Sequence, residues 1–224
     1  MSLDVADLPL HYTYKDFQNL AWLRGEGYQM IDYETSKDIA NLFFSIVGNR
    51  DGQAVCGQGR SVGSSASNGW RNNYDTGAFD SIGKANSAWT SGSGNKLLGI
   101  ENFMACNAEW MDNIAANIAD YASYKRNKMN PTGGDPADAV YHIFDPLTKR
   151  ERTVQGINAS GYCIGRVKFG RHADVIASKV TSDNSRWNQN YCDGMWYQHV
   201  TGRAVCRSSY GANAVGGLVC SSAN

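Results

Sequence analysis

Three acidic residues in one short stretch, Glu101, Glu109 and Asp112, are the first candidates for chemistry. Carboxylates that converge could perform acid–base catalysis or bind calcium. The same residue types also end turns and accept hydrogen bonds from backbone N–H groups. We favour the structural interpretation, because catalysis depends on a geometry that spacing along the chain does not supply.

Cysteine and histidine supply the remaining reactive groups. The six cysteines are Cys56, Cys106, Cys163, Cys192, Cys206 and Cys220, and the four histidines are His11, His142, His172 and His199. No cysteine pair has the C-x-x-C spacing typical of zinc sites, and the histidines are scattered. We therefore predict no metal and no cofactor, and we favour free, mostly buried thiols over disulfides. His142 is interpreted as a hydrogen-bonded strand residue.

The overall charge and hydropathy exclude several classes of partner. The 224 residues carry a formal net charge of +0, whereas nucleic acids and anionic membranes are bound by clustered cations. No apolar run approaches the ~20 residues that span a bilayer. The first residues lack the basic and apolar regions of a signal peptide. We expect a single domain over 1–224 that neither binds nucleic acid nor inserts into a membrane.

Two helices are predicted near the N-terminus. The first covers 13–23, with Thr13 as its N-cap and with Gly25 and Gly27 after its end,. Residues 28–33 that follow are interpreted as a short strand or an extended link.

The second helix begins at Asp32 or Thr35 and ends at Val47, before Gly48. Its apolar residues recur at the spacing of one helix face. The residues predicted to face the core are Ile39, Leu42, Phe43 and Ile46.

Short strands and long loops are predicted for the rest of the scaffold. Residues 49–94 are rich in Gly, Ser and Asn and are interpreted as an irregular insertion,. A buried strand is predicted to start at Leu97, Leu98 and Ile100. Further strands are predicted at 107–114 with Trp110 as core anchor, at 139–144, and in pieces over 153–167 separated by Gly156, Gly161 and Gly165. Because the strands follow the helices and do not alternate with them, the layout is α+β.

The C-terminal tail, defined here as residues 185–224, differs in composition from the rest of the chain. No Glu follows Glu151 and no Lys follows Lys179. Tyr provides a large rigid contact area, and Ser, Gly and Asn provide adaptable hydrogen bonds, which is the mixture found in evolved binding surfaces. The tail is therefore predicted to be a recognition surface that the remaining residues hold in place.

Short sequence motifs resemble those of proteins with the C-type lectin fold. The motif GIENF at 99–103, followed by NAEWMDNI at 107–114, is similar to the G-x-E-N and E-W-x-D-G region of the formylglycine-generating-enzyme-like branch. Cys106 and Asn113 stand where that branch usually has Gly. Gly202-Arg203, Ser208-Ser209 and Gly216-Gly217-Leu218 resemble its closing strands. The resemblance implies a C-type lectin-like fold of two helices and short, mostly antiparallel strands with long irregular loops.

Within that branch, the tail resembles the variable region of proteins diversified by retroelements, of the phage major-tropism-determinant type. Rewriting the adenines of an Asn codon yields Asn, Tyr, Ser, Asp, His or Cys, but neither Lys nor Glu. The resemblance implies that Trp187, Gly202, Arg203, Gly216, Gly217 and Leu218 are fixed for structure. It implies ligand contacts at Asn188, Asn190, Tyr191, Asp193, Tyr197, His199, Tyr210 and Asn213.

The function implied is binding without catalysis. The protein would be a phage tail adhesin or a bacterial surface protein, located at a virion tail tip or on a cell surface. Its partner would be a host-surface protein or polysaccharide, and it would assemble as a homotrimer.

Three alternatives remain at this point. One is an oxidoreductase of the formylglycine-generating type, which would use Cys206 and Cys220. Another is an ordinary calcium-dependent lectin, although no Pro follows Pro146 to form its sugar-binding motif. The last is a polar C-terminus without any binding role.

Overall fold

The computed structural model of the chain describes residues 14–52, 55, 96–101, 103, 109–116, 140–157, 163–181, 191, 195–197, 203–207 and 221–223. These ranges contain the helices α1 (Tyr14–Trp22) and α2 (Tyr33–Val47). They also contain the strands β1 (Lys96–Leu97), β2 (Ile100–Glu101), β3 (Glu109–Ala116), β4 (Val140–Asp145), β5 (Arg150–Gln155), β6 (Cys163–Lys168), β7 (Ile176–Thr181), β8 (Met195–Tyr197), β9 (Arg203–Arg207) and β10 (Ser221–Ala223). The predicted α+β layout is confirmed.

The main sheet joins the centre of the chain to its C-terminal end. Its strand order is β5-β4-β3-β9-β10-β8. Every neighbouring pair is antiparallel except β10 and β8, which are parallel. The strands β6 and β7 form a separate antiparallel hairpin, and β1 and β2 form another. The predicted mostly antiparallel pairing is therefore confirmed.

Helix α1 ends close to the predicted boundary. The Gly25 N–H donates to the Trp22 carbonyl at 3.0 Å, and Gly25 has a φ of 123°, a value that L side chains rarely adopt,. Thr13, the predicted N-cap, lies outside the described residues, as does the predicted insertion 49–94 apart from 49–52 and 55.

Both ends of α2 are capped as the sequence predicts. The Asp32 side chain accepts from the Thr35 N–H at 2.6 Å. At the other end Gly48 adopts a left-handed conformation and its N–H donates to the Phe44 carbonyl. These two caps satisfy backbone groups that have no partner within the helix.

The rotation of α2 about its axis differs from the prediction. Phe43 is fully buried and Ile39 packs against the core, but Leu42 and Ile46 are 50% and 63% exposed. The residues of α2 that the fold buries are Tyr33, Ser36, Lys37, Ala40 and Phe43. Polar contacts, described below, turn the helix so that this more polar face meets the sheet.

Tight turns correct two further predictions. Leu97 is buried, but Leu98 and Ile100 are 44% and 42% exposed, because Leu98 and Gly99 form the turn between β1 and β2 with φ values of 49° and 87°. Gly165 does not interrupt β6 and lies instead at a shift in the β6–β7 register.

The residue directly after β5 is Gly156, and the packing around it leaves no room for a side chain. A Cβ at this position would come within 2.7 Å of the Tyr141 ring and 2.8 Å of Ile176. Tyr141 is 1% exposed and belongs to the main core, together with Ile114, Ile143 and Ile164. The core therefore lies where α2, β3, β4 and the β6–β7 hairpin meet. Trp110 belongs to a smaller cluster, where its ring centroid lies 5.5 Å from that of Tyr14.

Candidate functional site

Strands of the tail form half of the main sheet. In register, Arg203 of β9 lies opposite Ala116 of β3, and Cys206 lies opposite Trp110. Cys206 also lies opposite Ser222 of β10, on the other side of β9. The tail strands β8, β9 and β10 therefore belong to the same sheet as β3, and the pairing of β9 with β3 joins them to the scaffold.

Tyr191 corrects the prediction of an exposed contact residue. It is 5% exposed and belongs to the main core. Its N–H donates to the Ile164 carbonyl of β6 at 3.2 Å. Its ring meets Phe44 of α2 edge to face, with centroids 5.7 Å apart, and the Arg50 guanidinium lies 5.9 Å from the ring centroid. Burial raises the pKa of the Tyr191 hydroxyl, and the charge of Arg50 opposes that rise.

This burial makes Tyr191 an anchor between scaffold and tail. Tyr197 pairs through its backbone with Ala223, so its main chain belongs to β8. The other predicted contact residues lie outside the described residues: Asn188, Asn190, Asp193, His199, Tyr210 and Asn213. The residues Trp187, Gly202, Gly216, Gly217 and Leu218, which were predicted to be fixed, also lie outside them.

Asp112 of β3 acts as a structural acceptor. Its carboxylate accepts from the Tyr14 hydroxyl and from the Gln18 amide, each at 2.8 Å, and from the Asn113 N–H at 2.9 Å. Its own N–H donates to the Ile31 carbonyl at 2.8 Å. The structural interpretation is confirmed for Asp112, which fastens α1 and the start of α2 to β3. The carboxylates of Glu101 and Glu109 lie outside the described residues.

Asn113 occupies a special backbone position within β3. Its φ is 60°, in the left-handed region that favours Gly and Asn,. Its side chain accepts from the Tyr33 N–H at 2.7 Å and donates to the Phe144 carbonyl at 2.8 Å. The pairing of β3 with β9 changes register around it. This side chain therefore links the first turn of α2 to β4.

A charged cluster joins α2 to β5 and to the β6–β7 turn. Arg152 of β5 contacts the carboxylates of Glu34 and Asp174 at 2.5 and 2.7 Å. Lys37 contacts Glu34 at 2.5 Å and donates to the His172 carbonyl at 3.1 Å. We call these four residues, Glu34, Lys37, Arg152 and Asp174, the charged clasp.

Tyr33 extends the charged clasp into the core. Its hydroxyl donates to Asp174 at 3.3 Å and accepts from the Val175 N–H at 3.0 Å. Burial, followed by the charge of Asp174, raises the pKa of Tyr33 well above its ordinary value. Burial pushes the pKa of Glu34 upward, but Lys37 and Arg152 outweigh that effect and hold it below its ordinary value. Each charge in the clasp thus stabilises its oppositely charged neighbour.

The only sequence signal for the charged clasp was the spacing of Glu34 and Lys37. Glu34 and Lys37 stand three residues apart on α2, a spacing at which opposite charges meet. Asp174 is the one acidic residue between Arg152 and Thr181. Pattern analysis missed the clasp because its members come from three elements far apart in the chain.

Other reactive groups in the described residues are satisfied or dispersed. His142 Nδ1 lies 2.5 Å from the Glu151 carboxylate, which confirms it as a hydrogen-bonded strand residue. Among the residues that the structure describes, no group of three His, Cys, Asp or Glu side chains could hold a metal ion. No helix in the described ranges is long and apolar enough to cross a membrane.

Comparisons with known proteins add no relative. No protein-family model matches the chain, and no curated protein or solved structure matches it either.

Proposed function

We propose that the protein is a ligand-binding protein that displays a diversifiable C-terminal surface on a C-type lectin scaffold, as a phage tail adhesin or a bacterial surface protein. One observation carries the proposal: a tail without Lys or Glu supplies three of the six strands of the main sheet. The host-surface ligand would be a protein or a polysaccharide.

The tail strands are held by backbone hydrogen bonds, which tolerate substitution of side chains. Their described contacts are the backbone ladders of β8, β9 and β10. Every residue except Pro can donate to such a ladder, and no Pro occurs after Pro146. Residues between the strands can therefore change without loss of the hydrogen bonds that hold the segment.

Asn113 supports the resemblance to the C-type lectin fold. The family has Gly at this position, and here Asn adopts the positive φ that Gly adopts without strain,. Asn113 in place of the family's Gly is therefore compatible with the same backbone conformation. Asp112, in the same motif, accepts hydrogen bonds from Tyr14 and Gln18 of α1, so its side chain has a structural role.

Tyr191 limits the binding surface that we propose. Because its ring packs in the core, the ligand-contact residues are Asn188, Asn190, Asp193, Tyr197, His199, Tyr210 and Asn213. Tyr and Trp dominate the energetics of many interfaces, so Tyr197 and Tyr210 are the first candidates for strong contacts. Individual contacts can be weak if a homotrimer or a tail tip presents several copies.

Sequencing the genome around this coding region tests the proposal directly. We expect a nearby repeat of the tail's coding sequence that differs mainly at adenines, together with a reverse-transcriptase gene. The codon for residue 191 should match between the two copies, since a core residue is a poor position for diversification. If neither the repeat nor the reverse transcriptase is present, the diversification hypothesis is wrong.

A double variant tests whether the tail carries binding. Asn190→Ala with Tyr197→Ala should abolish retention on the bacterial cells that bind the unmodified protein. Lys149→Ala with Thr153→Ala changes two exposed scaffold residues and should leave retention unchanged. Equal retention of both double variants would place the binding surface elsewhere.

A further inference from the structure

The exposed charges of the β6–β7 hairpin are all positive. Its four cations, Arg166, Lys168, Arg171 and Lys179, are exposed. The one acidic residue of the hairpin, Asp174, is 2% exposed and is occupied by Arg152 and Tyr33. The chain as a whole has a formal net charge of +0, so this hairpin concentrates positive charge while the rest of the chain carries the compensating negative charge.

The arrangement of the cations has an electrostatic cost. Arg166 and Lys179 lie directly opposite each other in the β6–β7 register, and like charges in that position destabilise a strand pair. The described ion pairs include neither of them, nor Lys168 or Arg171. An anion bound between the two strands would remove the repulsion and gain charge-assisted hydrogen bonds.

The turn of the hairpin is held in place by α2. Lys37 Nζ donates to the His172 carbonyl at 3.1 Å, and Asn41 Nδ2 donates to the Ala173 carbonyl at 2.8 Å. Arg171 is therefore presented from a turn whose backbone is fixed, which lowers the entropy lost on binding. Phe169, 40% exposed, lies between Lys168 and Arg171 in the chain and meets Phe44 edge to face, with ring centroids 6.3 Å apart.

The β4–β5 hairpin provides an internal contrast. It also exposes two cations, Lys149 and Arg150, but it carries the carboxylates of Asp145 and Glu151 close by in sequence. Asp145 accepts from the Leu147 and Thr148 N–H groups, so it closes its own turn. Exposed cations thus lie beside carboxylates on the β4–β5 hairpin, whereas the exposed charges of the β6–β7 hairpin itself are all positive.

We propose that the β6–β7 hairpin binds an acidic polysaccharide, through the sulfate, phosphate or carboxylate groups of the polymer. Arg166 and Lys179 would hold one anionic group between them, and Arg171 a second, because guanidinium groups match such oxyanions in geometry. Phe169 supplies an apolar surface for a sugar ring. The neutral net charge disfavours a nucleic acid, whose dense phosphates call for a wider cationic surface. None of these residues belongs to the tail, and the proposal does not rest on the tail being diversified.

Binding of the full chain to immobilised dextran sulfate tests the proposal, with neutral dextran as the reference, in about 0.1 M NaCl, where exposed charges still interact over ~10 Å. The variant Arg166→Gln with Lys179→Gln should weaken binding about tenfold, since two charge-assisted contacts are lost. The matched control, Lys149→Gln with Arg150→Gln, removes the same charge and should weaken binding less than about twofold.

Folding is checked on the same samples. Removing a like-charge pair should leave the midpoint of thermal unfolding unchanged or slightly higher, so weaker binding would not reflect unfolding. Arg171→Gln provides an independent single change and should weaken binding about threefold.

Three outcomes would overturn the proposal. The first is that the unmodified protein binds dextran sulfate no better than dextran. The second is that the two double variants weaken binding equally, which would indicate attraction by general charge. The third is that duplex DNA binds as tightly as dextran sulfate and shows the same loss with Arg166→Gln and Lys179→Gln, which would make the hairpin a nucleic-acid surface. None of these results bears on the coding repeat that tests the tail.

Discussion

The scaffold and the tail are held together by different kinds of contact. In the scaffold, side chains from distant elements meet: the charged clasp joins α2 to β5 and to the β6–β7 turn, and Asp112 and Asn113 join β3 to α1, α2 and β4. In the described part of the tail, the contacts are strand ladders and the buried ring of Tyr191.

This difference predicts which substitutions should lower the stability of the fold most. A side-chain contact requires a particular residue at each end, and removing one end leaves a buried polar group without its partner. A backbone ladder makes no such demand. We therefore expect a steep gradient of sensitivity, from the scaffold and the anchor Tyr191 down to the tail residues between the strands.

The largest effect is expected at the anchor. Tyr191→Ala should lower the free energy of unfolding by about 3–4 kcal/mol, because a buried aromatic ring is lost. Tyr191→Phe keeps the ring and should cost less than about 0.5 kcal/mol. Urea unfolding measures both values, and a Tyr191→Ala protein as stable as the unmodified one would return this residue to the binding surface.

The charged clasp should be nearly as sensitive. Arg152→Met removes the cation between Glu34 and Asp174 and should cost about 3 kcal/mol, since the buried Asp174 carboxylate then lacks its cation and Glu34 keeps only Lys37,. Arg150→Met, on the same strand but exposed, is the matched control and should stay within about 0.5 kcal/mol. Equal effects in chemical denaturation would show that the clasp contributes nothing beyond surface charge.

Two variants of Asn113 separate the contribution of backbone strain from that of hydrogen bonding. Asn113→Ala loses two hydrogen bonds and places a Cβ residue at φ 60°, which should cost about 2–3 kcal/mol. Asn113→Gly loses the same bonds without the strain and should be about 1 kcal/mol less destabilising. If Ala and Gly unfold at the same urea concentration, the positive φ does not constrain this position.

Acid should weaken the clasp through Glu34. The pKa of Glu34 is lower in the folded state than its ordinary value of 4.5, so its contribution is fully present above that value and is lost as the pH falls through the folded pKa. Glu34→Gln should cost about 1–2 kcal/mol at neutral pH and should flatten the fall in stability below pH 4.5.

The acid dependence that Asp145 contributes must be measured separately. Hydrogen bonds from Thr148 and Leu147 lower the pKa of Asp145 as well, so it contributes an acid dependence of the same sign. Asp145→Asn measured over the same pH range isolates this part. A slope that Glu34→Gln leaves unchanged would contradict the role given to the clasp.

The smallest effects are expected between the tail strands. Asn188→Ala and Asp193→Ala should change the free energy of unfolding by less than about 0.5 kcal/mol, as surface substitutions do. The same substitutions should weaken ligand binding. Losses of stability comparable to that of Tyr191→Ala would end the contrast between scaffold and tail.

Local signals predicted the parts of the fold that depend on neighbouring residues. Asp32 and Gly48 mark the ends of α2 because caps involve residues within one turn. The alternation around Trp110 and the run before Asp145 predicted β3 and β4, whose edges differ from the predictions by two residues or fewer. Strand β5 was predicted only in part, because its exposed charged residues lack the pattern of a buried strand.

The sequence by itself determined the α+β class, the two helices with the caps of α2, and the odd composition of the tail, since each follows from residue types and short-range spacing. Tertiary structure alone decided that α2 buries Lys37 and exposes Leu42, that Asp174 serves Arg152, and that Tyr191 lies in the core. Arg152 and Asp174 lie 22 residues apart, and the contacts of α2 with the β6–β7 turn and with Tyr191 join residues more than a hundred positions apart. No spacing rule encodes such a meeting, because it is the packing of α2, β5 and β7 around one core that brings the partners into contact.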